Sequence, residues 1–178
     1  MQREVSTRAL NAASQRGSSA AAYLIFFLSG VAGLGYEIVW TRMFAVGLGH
    51  EMPSVLAVLA AFFGGIALGA WGLDRLVSRS RVPGRWYAGL ELLIGVWGFV
   101  SIGLIPWVND QVALLTGTSP GPFHHWMVAF LVPFLALLPA TAAMGATLPA
   151  MDRFLSRLRA EGRSLGGLYG TNTLGAVA

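Results

Sequence analysis

Four apolar stretches, at about 20–42, 53–73, 86–108 and 124–151, constrain the fold of this chain more than any other feature. A bilayer core of about 30 Å is crossed by about 20 helical residues, so each stretch is long enough to span it once. In hydrocarbon every backbone N–H and C=O must be satisfied within the segment, which leaves helices as the structure for such runs. Charged residues make up only 11% of the sequence, against about 25% in an ordinary soluble domain. The expected fold is an all-α membrane protein, a polytopic helical bundle of four complete transmembrane helices. A fifth apolar run occupies 165–178 and is too short to span, so the chain is expected to be the front portion of a longer protein.

The formal charge of +4 comes from twelve arginines and no lysine. Their placement is one-sided. Arg3, Arg8 and Arg16 precede the first span, Arg75, Arg79, Arg81 and Arg85 follow the second, and Arg153, Arg157, Arg159 and Arg163 follow the fourth. Only Arg42 falls in the opposite set of loops. This bias predicts a cytoplasmic N-terminus and cytoplasmic arginine-rich loops. It accounts for the basicity without nucleic acid as a partner. Residues 1–19 are polar, and are read as a disordered cytoplasmic tail. The run after them is too long for the core of a signal peptide, about 7–15 residues. With no cysteine, disulfides and thiolate metal sites are excluded.

Local signals refine this plan. Pro83-Gly84 reads as the turn between spans two and three, and Asn109 to His125 as a longer exterior loop. Pro133, Pro139 and Pro149 predict a bend in the fourth span, near Pro139. Trp40, Trp86, Trp107 and Trp126 fall near the predicted boundaries and read as interface anchors. The pattern D-R-[LF]-[VL]-S-R-x-R occurs twice, from Asp74 to Arg81 and from Asp152 to Arg159. It points to a duplicated helical hairpin, as in transporters built from internal repeats.

Two intramembrane carboxylates are candidates for function, since an ionisable group in lipid costs about 2.5–3.5 kcal/mol at a helix centre. Glu37 shares a helix face with Gly30, Gly33 and Thr41, and Glu91 shares one with Gly95 and Gly98. Small residues let helices approach closely, so Glu37 is expected to face a packed interface or cavity, while Glu91 is matched to Asp74-Arg75 and Arg85 at the inner surface. Glu37 lies roughly 25 Å beyond the start of its helix and Glu91 within two turns of its own, so they cannot form a dyad. Tyr36, Glu37 and Arg42, with Asn172 on the fifth run, form the candidate polar or ligand site. Asp74, Arg75, Glu91, Asp152 and Arg153 form an expected cytoplasmic ion-pair loop. Gly65, Gly69 and Gly72 give span two a packing face that could also dock other membrane proteins. His124-His125 has no clear carboxylate partner and is read as solvated, with no metal site. The glycine-rich runs lack the strand-turn-helix context of a nucleotide site, so no cofactor is assigned.

Several motifs occur together: Tyr36-Glu37, Trp40-Thr41-Arg42, Asp74-Arg75, Gly145-Ala146-Thr147-Leu148-Pro149, Gly167-Leu168-Tyr169 and Asn172-Thr173-Leu174-Gly175-Ala176. In this order they resemble the membrane region of spermidine synthase-like integral membrane proteins, with glycine at 167 where that pattern has arginine. The resemblance implies a helical, transporter-like region preceding a Rossmann-like aminopropyltransferase domain in a bacterial inner membrane. That domain would transfer an aminopropyl group from decarboxylated S-adenosylmethionine to putrescine. The residues of this chain supply no catalytic group for that reaction. Its expected part is to anchor the enzyme and to bind or move polyamine. The alternatives are one half of a transporter of major-facilitator type and an accessory subunit of a membrane complex.

Overall fold

The structure, a computed structural model, describes residues 2–48, 51–117, 121–158 and 165–178. They form five helices: α1 Gln2–Leu48, α2 Glu51–Arg79, α3 Pro83–Thr116, α4 Pro122–Leu158 and α5 Leu165–Val177. The first four contain segments long and apolar enough to cross a membrane, Ala20–Leu48, Val55–Arg79, Pro83–Thr116 and Pro122–Arg157. The outward surface is apolar, with Trp71 82%, Phe99 79% and Leu114 76% exposed. A continuous apolar face of that kind suits lipid and not water.

The helices outrun the predicted spans. Residues 2–19, expected as a disordered tail, continue α1. The segment contains no proline and carries Ala9, Ala12 and Ala13, residues of the highest helix propensity. The expected exterior loop from Asn109 to His125 is mostly helical, because α3 runs to Thr116 and α4 starts at Pro122. Between them, Thr118, Ser119 and Pro120 lie outside the described residues. At the arginine-rich end Asp74 and Arg75 belong to the last turns of α2, and Asp152 and Arg153 to α4. The expected ion-pair loop is thus a pair of helix ends. They stay helical because apolar side chains go on packing there: Val77 is fully buried and Leu155 nearly so. Pro83 opens α3 instead of turning the chain, since the first helical position needs no N–H.

α4 remains helical through Pro133, Pro139 and Pro149. Pro139 leaves the Leu135 carbonyl without its helical donor, and Trp97 Nε1 on α3 donates to the next carbonyl, that of Ala136, at 2.9 Å.

Contacts along the helices fix their directions. Ser29, Trp40 and Met43 on α1 meet Glu91, Ser101 and Asn109 on α3, in order, so α1 and α3 run parallel. Gly65 and Asp74 on α2 meet Thr141 and Arg153 on α4, so that pair is parallel too. Two antiparallel hairpins, α1–α2 and α3–α4, therefore pack side by side. The most extensive packing is α2 on α4. A Cβ at Gly65, Gly69 or Gly145 would fall on Thr141, the Ala142 backbone or the Ile66 backbone. Gly72, expected on the same face, meets nothing within 4 Å.

Two apolar clusters fill the bundle. One, at the arginine-rich end, includes Phe26, Val77, Tyr87, Ile94, Met151 and Leu155. The other includes Trp40, Phe44, Phe62, Ile105 and Leu137. Trp40, expected as an interface anchor, is 0% exposed in the second cluster, whereas Trp107 is 59% exposed. The difference lies in the partner: Trp40 Nε1 donates to Ser101 Oγ at 3.0 Å, and Ser101 Oγ donates in turn to the Gly98 carbonyl at 2.7 Å. A buried indole requires such an acceptor.

Candidate intramembrane polar site

The residues proposed from sequence as one polar site separate into different contacts. Asn172 on α5 donates through Nδ2 to the Phe26 carbonyl of α1 at 3.0 Å. Around it a Cβ on Gly30 would strike the Asn172 backbone, and one on Gly175 the Phe27 backbone. Leu168 joins the cluster of Ala22 and Phe26, so α5 runs parallel to α1 and Asn172 serves their junction. Glu37 lies seven residues beyond Gly30 on α1, about 10 Å at 1.5 Å per residue, and outside that junction.

Tyr36 and Glu37 also part company. The Tyr36 ring stacks on Trp40 with centroids 5.1 Å apart, and its edge fills the space that a side chain at Gly98 would take. Tyr36 is thus a packing residue of α1 on α3. Glu37 is partly buried, Arg42 is exposed, and the two form no ion pair. Thr41 Oγ1 donates to the Glu37 carbonyl at 2.7 Å, a bond within the helix. Among the described residues the Glu37 carboxylate has no hydrogen-bond partner.

The acidic and basic groups at the arginine-rich end are selective in their pairing. Among the described residues the one ion pair is Arg153 Nη2 with Asp74 Oδ1, at 2.9 Å. It joins the aspartate of the first D-R motif to the arginine of the second. One turn on, Arg157 donates to the carbonyls of Arg81 and, at 2.8 Å, Ser80, tying the end of α4 to the chain just past α2. Arg75 and Asp152 make no ion pair among the described residues, and Arg159 and Arg163 lie outside them. Asp74 is half-exposed, so Arg153→Ala is expected to lower unfolding stability by about 1 kcal/mol. Thermal unfolding in detergent at low salt should show this, and 0.5 M salt should shrink it.

Glu91 departs furthest from expectation. It was expected to pair with Asp74-Arg75 and Arg85 at the inner surface. It instead accepts a hydrogen bond from Ser29 Oγ on α1 at 2.8 Å. Tyr87, one turn earlier on α3, packs on Phe26 with centroids 6.2 Å apart. Its hydroxyl is buried close to Glu91 and Ser29 but meets neither in hydrogen-bond geometry. Arg85 lines a separate open groove of about 410 Å³ with Val82, Trp86, Gly89, Leu90 and Leu93. Sequence reading missed Ser29 and Tyr87. The spacing of Tyr87 and Glu91 places both on one face, but Ser29 is recruited by the register between α1 and α3.

Two further polar groups stitch the opposite half. Asn109 Nδ2 donates to the Met43 carbonyl at 2.8 Å and its side chain fills the space over Gly47. His124 Nε2 lies 2.9 Å from the Leu115 carbonyl, closing the end of α3. Among the described residues no three His, Cys, Asp or Glu side chains are grouped as a metal site would need. Compared with known proteins, the chain matches no protein-family model, no curated protein and no solved structure.

Proposed function

We propose that this chain is the membrane-embedded region of a spermidine synthase-like integral membrane protein, and that its task is to hold an aminopropyltransferase domain at a bacterial inner membrane. The observation that carries this reading is where the resembling motifs sit. Tyr36 and Trp40 lie on the α1–α3 contact, Gly145 on the α2–α4 crossing, and Asn172 with Gly175 on the α1–α5 junction. These five motif residues are spent on packing helices, as an anchoring bundle requires. The test is made on the gene product that contains this region. Aminopropyl transfer from decarboxylated S-adenosylmethionine to putrescine is expected in membranes, and deletion of this region is expected to move the activity to the soluble fraction. A gene product without transfer activity, or one still membrane-bound after the deletion, would sink the proposal.

A second reading, half of a transporter, is favoured by one observation. The parallel hairpins carry the duplicated D-R motif at equivalent ends, and Asp74 pairs with Arg153 across the repeat. Bundles built of parallel repeats work by rocking one repeat against the other, and an ion pair between repeats would lock one state. On this reading Asp74→Asn raises putrescine flux into proteoliposomes, and unchanged flux excludes it.

A further inference from the structure

Glu91 lies about 12 Å along α3 from Pro83, within a segment long and apolar enough to cross a membrane. Among the described residues no cationic side chain pairs with it. A carboxylate at that depth is costly unless neutralised by a proton or a cation. Its surroundings supply oxygens. Ser29 Oγ donates to Oε1 at 2.8 Å and keeps its own lone pairs free to accept. Tyr87, 8% exposed, holds its hydroxyl beside both groups with no partner of its own. A buried hydroxyl left unpaired carries a penalty that a ligand would remove. Ser29 and Glu91 are only partly buried, so the cluster is open on one side.

We propose that Ser29, Tyr87 and Glu91 form a binding site for a primary ammonium group between α1 and α3. An –NH3⁺ head offers three N–H donors and one positive charge. The cluster offers four side-chain oxygens, two of them on the Glu91 carboxylate, and one negative charge. An acceptor for each of the three N–H groups and a single opposite charge select a primary ammonium over a quaternary ammonium, which has no N–H, and over sodium, which is held by more than four oxygens. The site goes beyond the anchoring role and does not depend on it, because it needs no transferase domain.

The full chain in lipid nanodiscs, titrated with n-butylammonium chloride at constant ionic strength and followed by calorimetry, tests this. Saturable binding is expected, with tetramethylammonium and sodium failing to compete. Glu91→Gln should weaken it at least about tenfold, and Ser29→Ala and Tyr87→Phe by roughly threefold each. Tyr87→Phe removes only an unpartnered hydroxyl and leaves the ring on Phe26, so it tests the site even if Glu91→Gln does not fold. Full affinity in Tyr87→Phe, equal competition by tetramethylammonium or sodium, or no saturable binding would each overturn the assignment. None of these outcomes bears on aminopropyl transfer, which is measured separately.

Discussion

Gly69→Val is expected to abolish the folded bundle, while Gly72→Ala three residues on leaves it intact. At Gly69 the first side-chain carbon would occupy the position of the Ala142 backbone on α4, with its Cα, carbonyl carbon and oxygen all in the way. A flexible side chain could move aside, but backbone inside a helix cannot. The crossing has no slack elsewhere. Gly145 presses on the Ile66 backbone and Gly65 on the Thr141 hydroxyl, which is itself bonded to the Leu137 carbonyl at 3.0 Å. α2 and α4 must therefore separate along their whole contact, the most extensive in the bundle. Overpacking of this kind costs about 3 kcal/mol or more. Close helix packing is a principal force for association in lipid, where no water drives the helices together. Unfolding followed by tryptophan fluorescence in micelles should show no cooperative transition for Gly69→Val. Gly72→Ala, with open space around it, should match or slightly exceed the parent through better helix propensity. A Gly69→Val protein with the parent's transition would show that the crossing is not a close one.

The second large effect is expected at Trp40. Its side chain is 0% exposed, stacked on Tyr36 and bonded to Ser101. Removing a buried tryptophan typically costs 3–5 kcal/mol in a water-soluble core, part of it transfer from water and part the cavity left behind. In lipid the transfer part shrinks because the surroundings are already apolar, while the lost packing remains. Trp40→Ala is therefore expected to cost about 3 kcal/mol. Trp40→Phe keeps most of the volume and loses the indole donor, at about 1 kcal/mol. Trp107→Ala, at an exposed site, should cost little. The same fluorescence-detected unfolding ranks the three, and a Trp107 effect as large as that of Trp40 would contradict the buried placement.

Glycines illustrate what could be read in advance and what could not. Gly30 and Gly33, Gly65 and Gly72, and Gly95 and Gly98 are paired by spacing as members of common faces. Only Gly30, Gly65 and Gly98 meet a neighbour, while Gly33, Gly72 and Gly95 meet nothing within 4 Å. Spacing of three or four places residues on one stripe of a helix, but a crossing touches a stripe only where the two axes come closest. The candidate site divides in the same way. That Glu37 and Glu91 lie far apart in depth follows from helix rise alone. That Asn172 belongs with Phe26 and not with Glu37 follows from how α5 lies on α1. Trp40 and Trp107 are alike in sequence position, near a predicted boundary, yet one is core and the other surface, because only Trp40 faces Ser101.

The apolar runs by themselves determined that the chain forms membrane-length helices, since within one segment only a helix satisfies the backbone in hydrocarbon. The arginines marked one end of the bundle, and the repeated D-R motif announced two similar hairpins. Only the tertiary structure decided that α2 packs most extensively on α4, that Asp74 pairs with Arg153 and not a sequence neighbour, and that Glu91 meets Ser29. The physical reason is that helix formation is settled within each segment. Partner choice depends instead on the relative register and rotation of separate helices, set by where glycine backbones can touch.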